Sequence, residues 1–337
     1  MADTILTVEG LSVSFRTDEG LITPVQGVNF QVARGRTLGL VGESGSGKSV
    51  STKAIMRLLP GSSSLSPETR MTYRAKSGQE VKIDSLVQRS KALRQLRGGE
   101  IGMIFQEPMA SFSPVYTIGN QMMESIHLHR GLKRKEARAL AVEMLAKVGM
   151  SRPEARVDQY AHELSGGMRQ RAMIALALSA GPALLIADEP TTALDVTIQA
   201  QVLELMDGLQ RDLGMAMIFI THDLGVIAQI ADEVAVMYLG SIVERGPAKQ
   251  VIKAPKHPYT QGLLEAIPSL DRLDARLRPV PGDIPSPTER PSGCAFHTRC
   301  AKAIAGLCSG EAPPEQQVGP DHAVRCWLYD ARGAAAA

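Results

Sequence analysis

The stretch Gly42-Glu43-Ser44-Gly45-Ser46-Gly47-Lys48-Ser49 decides the fold of this chain. It follows an apolar run, 37–41, with the composition of a buried strand, and precedes a helical stretch, 50–59. The pattern G-x-x-x-x-G-K-S between a strand and a helix is typical of a phosphate-binding loop. Glycines let backbone N–H groups surround a phosphate, Lys48 brings a positive charge to the β- and γ-phosphates, and Ser49 offers a hydroxyl to Mg²⁺. The sequence therefore predicts a nucleoside triphosphate site.

The composition of the chain is typical of a soluble globular protein and indicates little about its function. Its 337 residues suit one large or two moderate domains, and 44% hydrophobic with 21% charged residues is ordinary for a soluble globular protein. A net charge of +2 provides no general attraction to nucleic acid or anionic membranes. The start lacks a secretory signal, and the longest uncharged run, 172–187, is shorter than the roughly 20 residues of a membrane span. We expect a cytoplasmic protein whose link to a membrane is through partners.

Two further buried strands end in side chains that suit phosphate chemistry. The apolar run 183–187 is followed by Asp188 and Glu189, and the run 217–220 is followed closely by His222. Strands alternating with helices predict a parallel α/β core with its site at the carboxyl edge. There Asp188 can hold Mg²⁺ through water, Glu189 can polarise a water for in-line attack on a γ-phosphate, and a histidine can touch that phosphate.

Three weaker signals accompany these strands. Gln106 follows a strand at 101–105, and its amide oxygen can bind Mg²⁺ or the attacking water, although most glutamines are surface residues. Ser165-Gly166-Gly167 precedes a helix and builds a second anion-binding helix N-terminus. One chain seldom needs two such sites for one nucleotide, so we expect the second to face a nucleotide held by another subunit. Phe15 either stacks on a purine or is a core aromatic.

Taken together, these residues resemble the ATP-binding subunit of an ATP-binding cassette (ABC) transporter over about residues 5 to 250. The resemblance implies an α/β fold: a P-loop NTPase core with a mostly parallel sheet, an antiparallel β subdomain and a helical subdomain at about 107–180. It also implies that ATP is hydrolysed with Mg²⁺ bound. The ATP contacts that it implies are Phe15, Gly42, Glu43, Ser44, Gly45, Ser46, Gly47, Lys48, Ser49, Gln106, Ser165, Gly166, Gly167 and Asp195.

The same resemblance assigns catalytic roles to Glu189 and His222. The magnesium ligands that it implies are Ser49, Gln106 and Asp188. The motif that begins at Leu164-Ser165 ends in Met168, where the commonest form has glutamine. Because the serine and glycines make the phosphate contacts, we expect no loss of activity from this departure.

The C-terminal part carries a narrower resemblance. The segments 257–264, 281–287 and 293–300 resemble the C-terminal extension of the oligopeptide/dipeptide/nickel importer subfamily. This likeness predicts a loop-rich extension at 256–330 after an ABC domain at 1–255.

We expect a disordered tail at 331–337. The segment 107–111 resembles the part of the subfamily that meets the permease.

The subfamily likeness implies an ATP-hydrolysing subunit that powers import of di- or oligopeptides, with nickel, glutathione, opines and oligosaccharides as alternative cargoes. Its implied partners are a second, homologous ATPase subunit, two membrane permeases and a periplasmic or lipid-anchored solute-binding protein. The methionine-bearing motif resembles the first, dipeptide-type, ATPase of the pair. The implied location is peripheral, at the cytoplasmic face of the inner membrane.

The alternative function is a non-transport ABC ATPase that acts on ribosomes or nucleic acid. Such proteins typically carry two cassettes, a coiled-coil insert or a strongly basic surface. The chain has one phosphate-loop pattern, no heptad run and a net charge of only +2. A small-molecule P-loop kinase would leave 165–167 and the C-terminal part unexplained.

All four cysteines lie near the C-terminus. They are Cys294, Cys300, Cys308 and Cys326. Their spacing lacks the C-x(2–4)-C pairs of structural zinc, and disulfides are rare in cytoplasmic chains. Four thiolates can hold a [4Fe–4S] cluster, and the subfamily likeness implies one that staples the extension. Zinc and plain buried thiols stay open as alternatives, and His297 and His322 are weaker candidate ligands.

Overall fold

A computed structural model describes residues 3–18, 20–107, 111–192, 194–267 and 280–336, without the side chains of 334–336. The chain divides into two compact units. The first comprises the described parts of Met1–Leu6, Val32–Arg36 and Thr72–Ile220. The second comprises the described parts of Thr7–Gln31, Thr37–Met71 and Thr221–Ala337.

Strands and helices alternate through most of the described residues. The strands are β1 Thr4–Thr17, β2 Gly20–Ala33, β3 Thr37–Val41, β4 Ser63–Leu65, β5 Arg70–Arg74, β6 Glu80–Lys82, β7 Ile101–Ile104, β8 Leu184–Asp188, β9 Ala216–Thr221, β10 Glu233–Tyr238, β11 Ser241–Pro247, β12 Gln316–Gly319 and β13 His322–Val324. The α-helices are α1 Lys48–Ile55, α2 Lys91–Leu96, α3 Ile118–Arg130, α4 Arg134–Lys147, α5 Pro153–Arg156, α6 Gly166–Ser179, α7 Val196–Leu213, α8 Leu224–Ile230, α9 Ala248–Lys253, α10 Pro258–Glu265, α11 Leu307–Gly310 and α12 Ala331–Ala336.

The core of the first unit is a parallel arrangement of β7, β8 and β9. Ile104 pairs with Ala187 on β8, and Ala187 pairs with Phe219 on β9. All residues of these three strands are buried, which explains their unbroken apolar sequences. The predicted parallel α/β core is confirmed.

A helical segment between β7 and β8 agrees with the predicted helical subdomain. Helix α3 begins after Thr117, whose side chain accepts from the N–H of Asn120, and ends before Gly131, which has a left-handed φ of 68°. Helices α4 and α6 bury apolar residues such as Leu145 and Ile174. In α4 the buried residues Ala137, Ala141, Met144 and Leu145 follow the 3.6-residue period expected of an amphipathic helix.

In the second unit, β3 is parallel to β10, and β10 is antiparallel to β11. Strand β11 also pairs with β13, which pairs with β12. The extension therefore adds two strands to the sheet that contains β3, which its loop-rich sequence did not indicate. The three residues of β13 are all buried, so packing rather than local pattern explains this short strand.

The described C-terminus differs from the predicted disordered tail at 331–337. Residues Ala331–Ala336 form α12, because alanine has the highest intrinsic helix propensity. The oxygen Oδ1 of Asp330 accepts from the N–H of Arg332 at the helix start. The predicted domain boundary at residue 255 falls within the second unit, so it stays a prediction.

None of the helices in the described ranges combines the length and hydropathy that a membrane crossing requires. Of the predicted permease-facing segment 107–111, residues 108–110 lie outside the described residues.

Candidate active site

The phosphate-loop segment connects β3 to α1 and is closed around its lysine. The Nζ atom of Lys48 donates to the carbonyl oxygens of Gly42 at 2.7 Å and Glu43 at 2.9 Å, and to Oγ of Ser46 at 3.3 Å. The Lys48 side chain is buried. Its ammonium group is therefore held inside the curl of the loop, where the motif requires a cation for phosphate.

Glycine is required in this loop on steric grounds. Gly47 has a φ of 98°, and an added Cβ would lie 2.7 Å from the carbonyl oxygen of Pro24. Helix α1 begins at the next residue, Lys48, so the first N–H groups of the helix lie at the loop. The loop and helix start have the backbone form that accommodates a phosphate, and Ser49 follows as the second helical residue.

Two carboxylates end β8 in the first unit. Asp188 is 2% exposed, and the following Glu189 has a φ of 48°, which a residue with a side chain seldom adopts. The N–H of Glu189 donates to the carbonyl oxygen of Ile220 at 3.0 Å, which holds this turn. Backbone strain of this kind costs about 1–3 kcal/mol and concentrates at functional sites.

Two side chains converge on one oxygen of the Glu189 carboxylate. The Nε2 of Gln106 donates to Oε2 at 3.3 Å, and the Oγ1 of Thr192 donates to the same oxygen at 2.8 Å. The structure thus joins the predicted Gln106 and Glu189. Sequence reasoning missed Thr192, whose only signal was its place three residues after Glu189.

Ser165 and Asp195 serve as helix caps in the first unit. The Oγ of Ser165 accepts from the N–H of Met168 at 3.4 Å and begins α6. The Oδ1 of Asp195 accepts from the N–H of Ile198 at 3.0 Å and begins α7. Both residues are exposed, as is Gly166. Their contacts with ATP stay predictions.

Phe15 and His222 belong to the second unit. Phe15 is half-buried on β1 and pairs with Ser63 on β4. His222 is exposed and precedes Asp223, whose Oδ1 accepts from the N–H of Gly225 at 2.7 Å to cap α8. The roles of Phe15 and His222 also stay predictions.

The four cysteines lie near one another but do not form a metal site. The N–H of Cys294 donates to the carbonyl oxygen of Cys308 at 2.8 Å. Burial, together with the charges of neighbouring cysteines, raises the pKa of the Cys294 thiol to about 11 and that of the Cys326 thiol to about 12. Among the described residues, no group of three or more His, Cys, Asp or Glu side chains is placed to hold a metal ion. The predicted [4Fe–4S] cluster is therefore not supported.

The two candidate histidines near the cysteines have other partners. The Nε2 of His322 lies 2.8 Å from Oε1 of buried Glu244. The Nδ1 of His297 lies 2.9 Å from the carbonyl oxygen of Cys294. These contacts give both rings structural roles.

One connection to the phosphate loop was absent from the sequence reasoning. The guanidinium of Arg299 donates to both carboxylate oxygens of Glu43, at 2.8 and 3.1 Å. The N–H of Glu43 donates to the hydroxyl of Tyr259 at 2.9 Å. Arg299 and Tyr259 both lie in segments that resemble the importer extension, but no sequence signal joins residues this far apart in the chain.

The fold and the loop together define a P-loop NTPase of the ATP-binding cassette class. The family model described as "ABC transporter" matches residues 25–192, and the one described as "Oligopeptide/dipeptide transporter, C-terminal region" matches residues 243–308. Among solved structures, a dimeric ATP-binding cassette in a post-hydrolysis state bound to ADP and Pi has a TM-score of 0.62 at 24% identity. The match covers 72% of this chain and 99% of the chain of that structure, and it supports the fold.

Similarity to curated proteins extends over nearly the whole chain. A protein of Brucella abortus (strain 2308) named as a peptide import ATP-binding protein is 50% identical over 328 residues, covering 96% of both chains. The oligopeptide transport ATP-binding protein of Bacillus subtilis (strain 168) is 46% identical over 325 residues, covering 96% of this chain and 88% of its own. The chain belongs to the oligopeptide/dipeptide family of ABC transporter ATP-binding proteins and is an ATPase.

Proposed function

We propose that this ATPase powers the import of di- or oligopeptides across the cytoplasmic membrane. The observation that carries the proposal is the similarity over 96% of the chain to peptide import ATP-binding proteins, including a match to the family's C-terminal region at residues 243–308. The dipeptide transport ATP-binding protein of Bacillus subtilis is 45% identical over 328 residues. Relatives with peptide cargoes favour peptides over nickel, glutathione, opines or oligosaccharides.

We assign the phosphates of ATP to the loop 42–49. Its curled backbone and the enclosed Lys48 ammonium offer N–H groups and a positive charge to the β- and γ-phosphates. Phe15 contributes an aromatic face for the adenine. A bound Mg²⁺ would neutralise charge on the phosphates, and its ligands would be Ser49, Gln106 and Asp188.

Glu189 is the proposed general base. Its carboxylate polarises the attacking water, while the hydrogen bonds from Thr192 and Gln106 hold that carboxylate in one orientation. His222 contacts the γ-phosphate. Ser165, Gly166, Gly167 and Asp195 act on the nucleotide held by a partner ATPase subunit, which is supported by the exposure of Ser165, Gly166 and Asp195 at helix starts.

The proposed assembly contains a second, homologous ATPase, two membrane permeases and a solute-binding protein outside the membrane. In this assembly the chain is peripheral, at the cytoplasmic face of the inner membrane. ATP binding closes the ATPase pair, hydrolysis reopens it, and the segment after Gln106 passes this motion to the permeases.

The experiment that tests this proposal is affinity capture of the tagged chain from detergent-solubilised native membranes, followed by mass spectrometry. We expect two polytopic permeases and a second ATPase to be recovered. Recovery of ribosomal or DNA-associated proteins, without a membrane partner, would overturn the importer and favour a non-transport ABC ATPase.

A further inference from the structure

A cluster of buried aromatic rings connects the C-terminal extension, which includes α10, with β10. The ring centroids of Tyr238, Tyr259 and Phe296 lie 4.7, 5.1 and 5.4 Å apart. All three side chains are almost fully buried. The guanidinium carbon of Arg299 lies 5.7 Å from the ring centre of Tyr238 and 5.9 Å from that of Phe296. Closely packed rings lock one another's rotamers, so they form a firm base for this cation.

The extension also fixes the orientation of Arg299. Its Nε donates to the carbonyl oxygen of Pro281 at 2.9 Å, and its Nη2 donates to that of Val280 at 3.3 Å. The Arg299 side chain is only 4% exposed. Its remaining donors face Glu43 in the two-bond geometry that makes arginine–carboxylate pairs strong and specific.

Glu43 lies within the phosphate loop itself. Its carbonyl oxygen accepts from Nζ of Lys48 at 2.9 Å. Glu43 is therefore in direct contact with the cation proposed to bind phosphate. A carboxylate at this place would repel a triphosphate, and partial burial would strengthen the repulsion by reducing solvent screening. The paired guanidinium cancels that charge and holds the carboxylate in the direction of the extension.

A second arginine of the extension braces the loop indirectly. Arg290 donates to the carbonyl oxygen of Leu239 at 2.5 Å and to Oγ of Ser241 at 2.9 Å. Between these residues, the N–H of Gly240 donates to the carbonyl oxygen of Ser46 in the loop at 2.9 Å. The extension therefore supports the loop at two separate points.

We propose that Arg299 is a positioning residue for ATP binding: it neutralises and holds Glu43, so that the C-terminal extension sets the affinity of the phosphate loop for the triphosphate. This inference rests on the proposed role of the loop 42–49. It gives the extension a function at the nucleotide site that needs no metal in the cysteine module.

The test is the dissociation constant of ATP for the purified full-length chain, measured by calorimetry. We expect Arg299→Ala to raise this constant about tenfold at low salt, because Glu43 is left as an uncompensated charge. Raising the salt concentration should shrink the difference, since it screens the charges. Arg299→Lys keeps the charge without the two-bond geometry and should raise the constant about threefold.

A double variant separates this role from simple anchoring of the extension. Glu43→Gln combined with Arg299→Ala removes the anchor and the harmful charge together, so we expect ATP affinity to return to within about threefold of the wild type. If Arg299 acted only as an anchor, the double variant would bind as weakly as Arg299→Ala. That result, or wild-type affinity of Arg299→Ala, would overturn the proposal.

Two controls complete the design. Arg245→Ala breaks an ion pair of 2.8 Å between β11 and Glu315 of the extension, away from the loop, and should leave ATP affinity unchanged. Lys48→Ala tests the loop itself. If Lys48→Ala retains full ATP affinity, the proposed function of the loop is wrong. If Lys48→Ala loses ATP affinity while Arg299→Ala binds ATP like the wild type, only the role of Arg299 is contradicted. If Arg299→Ala does not fold, the ATP dissociation constants of Arg299→Lys and of Arg299→Lys combined with Glu43→Gln are compared in the same way.

Discussion

Both carboxylate oxygens of Glu43 are bound by the guanidinium of Arg299, at 2.8 and 3.1 Å, although 256 positions separate the two residues. The pair joins the phosphate loop, which follows β3 in the second unit, to a turn of the C-terminal extension. Both belong to the same compact unit. The extension and the phosphate loop are therefore in direct contact, and changes in one are expected to alter the other.

The Tyr259 hydroxyl is expected to stabilise the loop through its bond with the N–H of Glu43. Tyr259→Phe removes this acceptor and should lower the free energy of unfolding by about 1–2 kcal/mol, as measured by urea denaturation. Tyr238→Phe is the matched control, because its hydroxyl makes only a 3.5 Å contact with Arg299 in the same cluster. Equal losses for the two variants would contradict a special role for Tyr259.

Glu189→Gln should separate nucleotide binding from hydrolysis. The amide keeps the size of the side chain but cannot accept a proton, so we expect kcat to fall by about 100-fold or more while ATP still binds. Steady-state phosphate release and equilibrium nucleotide binding measure the two quantities. Near-normal hydrolysis by this variant would sink the assignment of Glu189 as the base.

Thr192 should affect the rate more than the affinity. Thr192→Val removes the 2.8 Å hydrogen bond to Oε2 of Glu189 while preserving shape, so we expect kcat to fall about three- to tenfold with an unchanged ATP dissociation constant. Thr192→Ser keeps the hydroxyl and should retain most of the activity. An equal loss of rate in the serine variant would show that the hydrogen bond is not responsible.

His257 should make the fold sensitive to acid. Burial lowers its pKa from 6.5 to about 3, and within the described residues its buried Nε2 has no hydrogen-bond partner. Between these pH values His257 is protonated in the unfolded chain and neutral in the folded chain. This group's contribution to stability is therefore fully present above pH 6.5 and is lost toward pH 3, at up to about 1.4 kcal/mol per pH unit.

His257→Asn should flatten this dependence while keeping an acceptor for the N–H of Tyr259, which His257 now bonds at 3.1 Å. Urea denaturation at several pH values between 3.5 and about 7 measures the slope. The exposed His162 offers the control substitution, His162→Asn. Identical slopes for the wild type and His257→Asn would rule out His257 as the source.

The parallel core and the phosphate loop could be predicted because their chemistry is local in sequence. Buried strands are continuous apolar runs, and the loop needs glycines and a lysine at set spacing. The partners of Glu43 could not be predicted, since the pairing with Arg299 depends on how the extension packs against the loop. The tail at 331–337 is expected to be disordered, whereas Ala331–Ala336, rich in alanine, forms a helix.

The [4Fe–4S] cluster was predicted from the resemblance to the subfamily, and the positions of the cysteine side chains do not support it. Four thiols close in sequence are compatible with a cluster, but the side-chain placement that a metal needs is a tertiary property. In the described residues no group of three or more His, Cys, Asp or Glu side chains is placed to hold a metal ion.

The central claim, ATP-driven peptide import, is tested most directly by uptake of a radiolabelled dipeptide. The cells would lack the chromosomal copy of this gene and carry either the wild-type chain or Glu189→Gln at equal membrane abundance. We predict that the wild-type chain restores uptake and that Glu189→Gln does not. Equal uptake with both chains, or uptake that does not change when the gene is deleted, would contradict the claim.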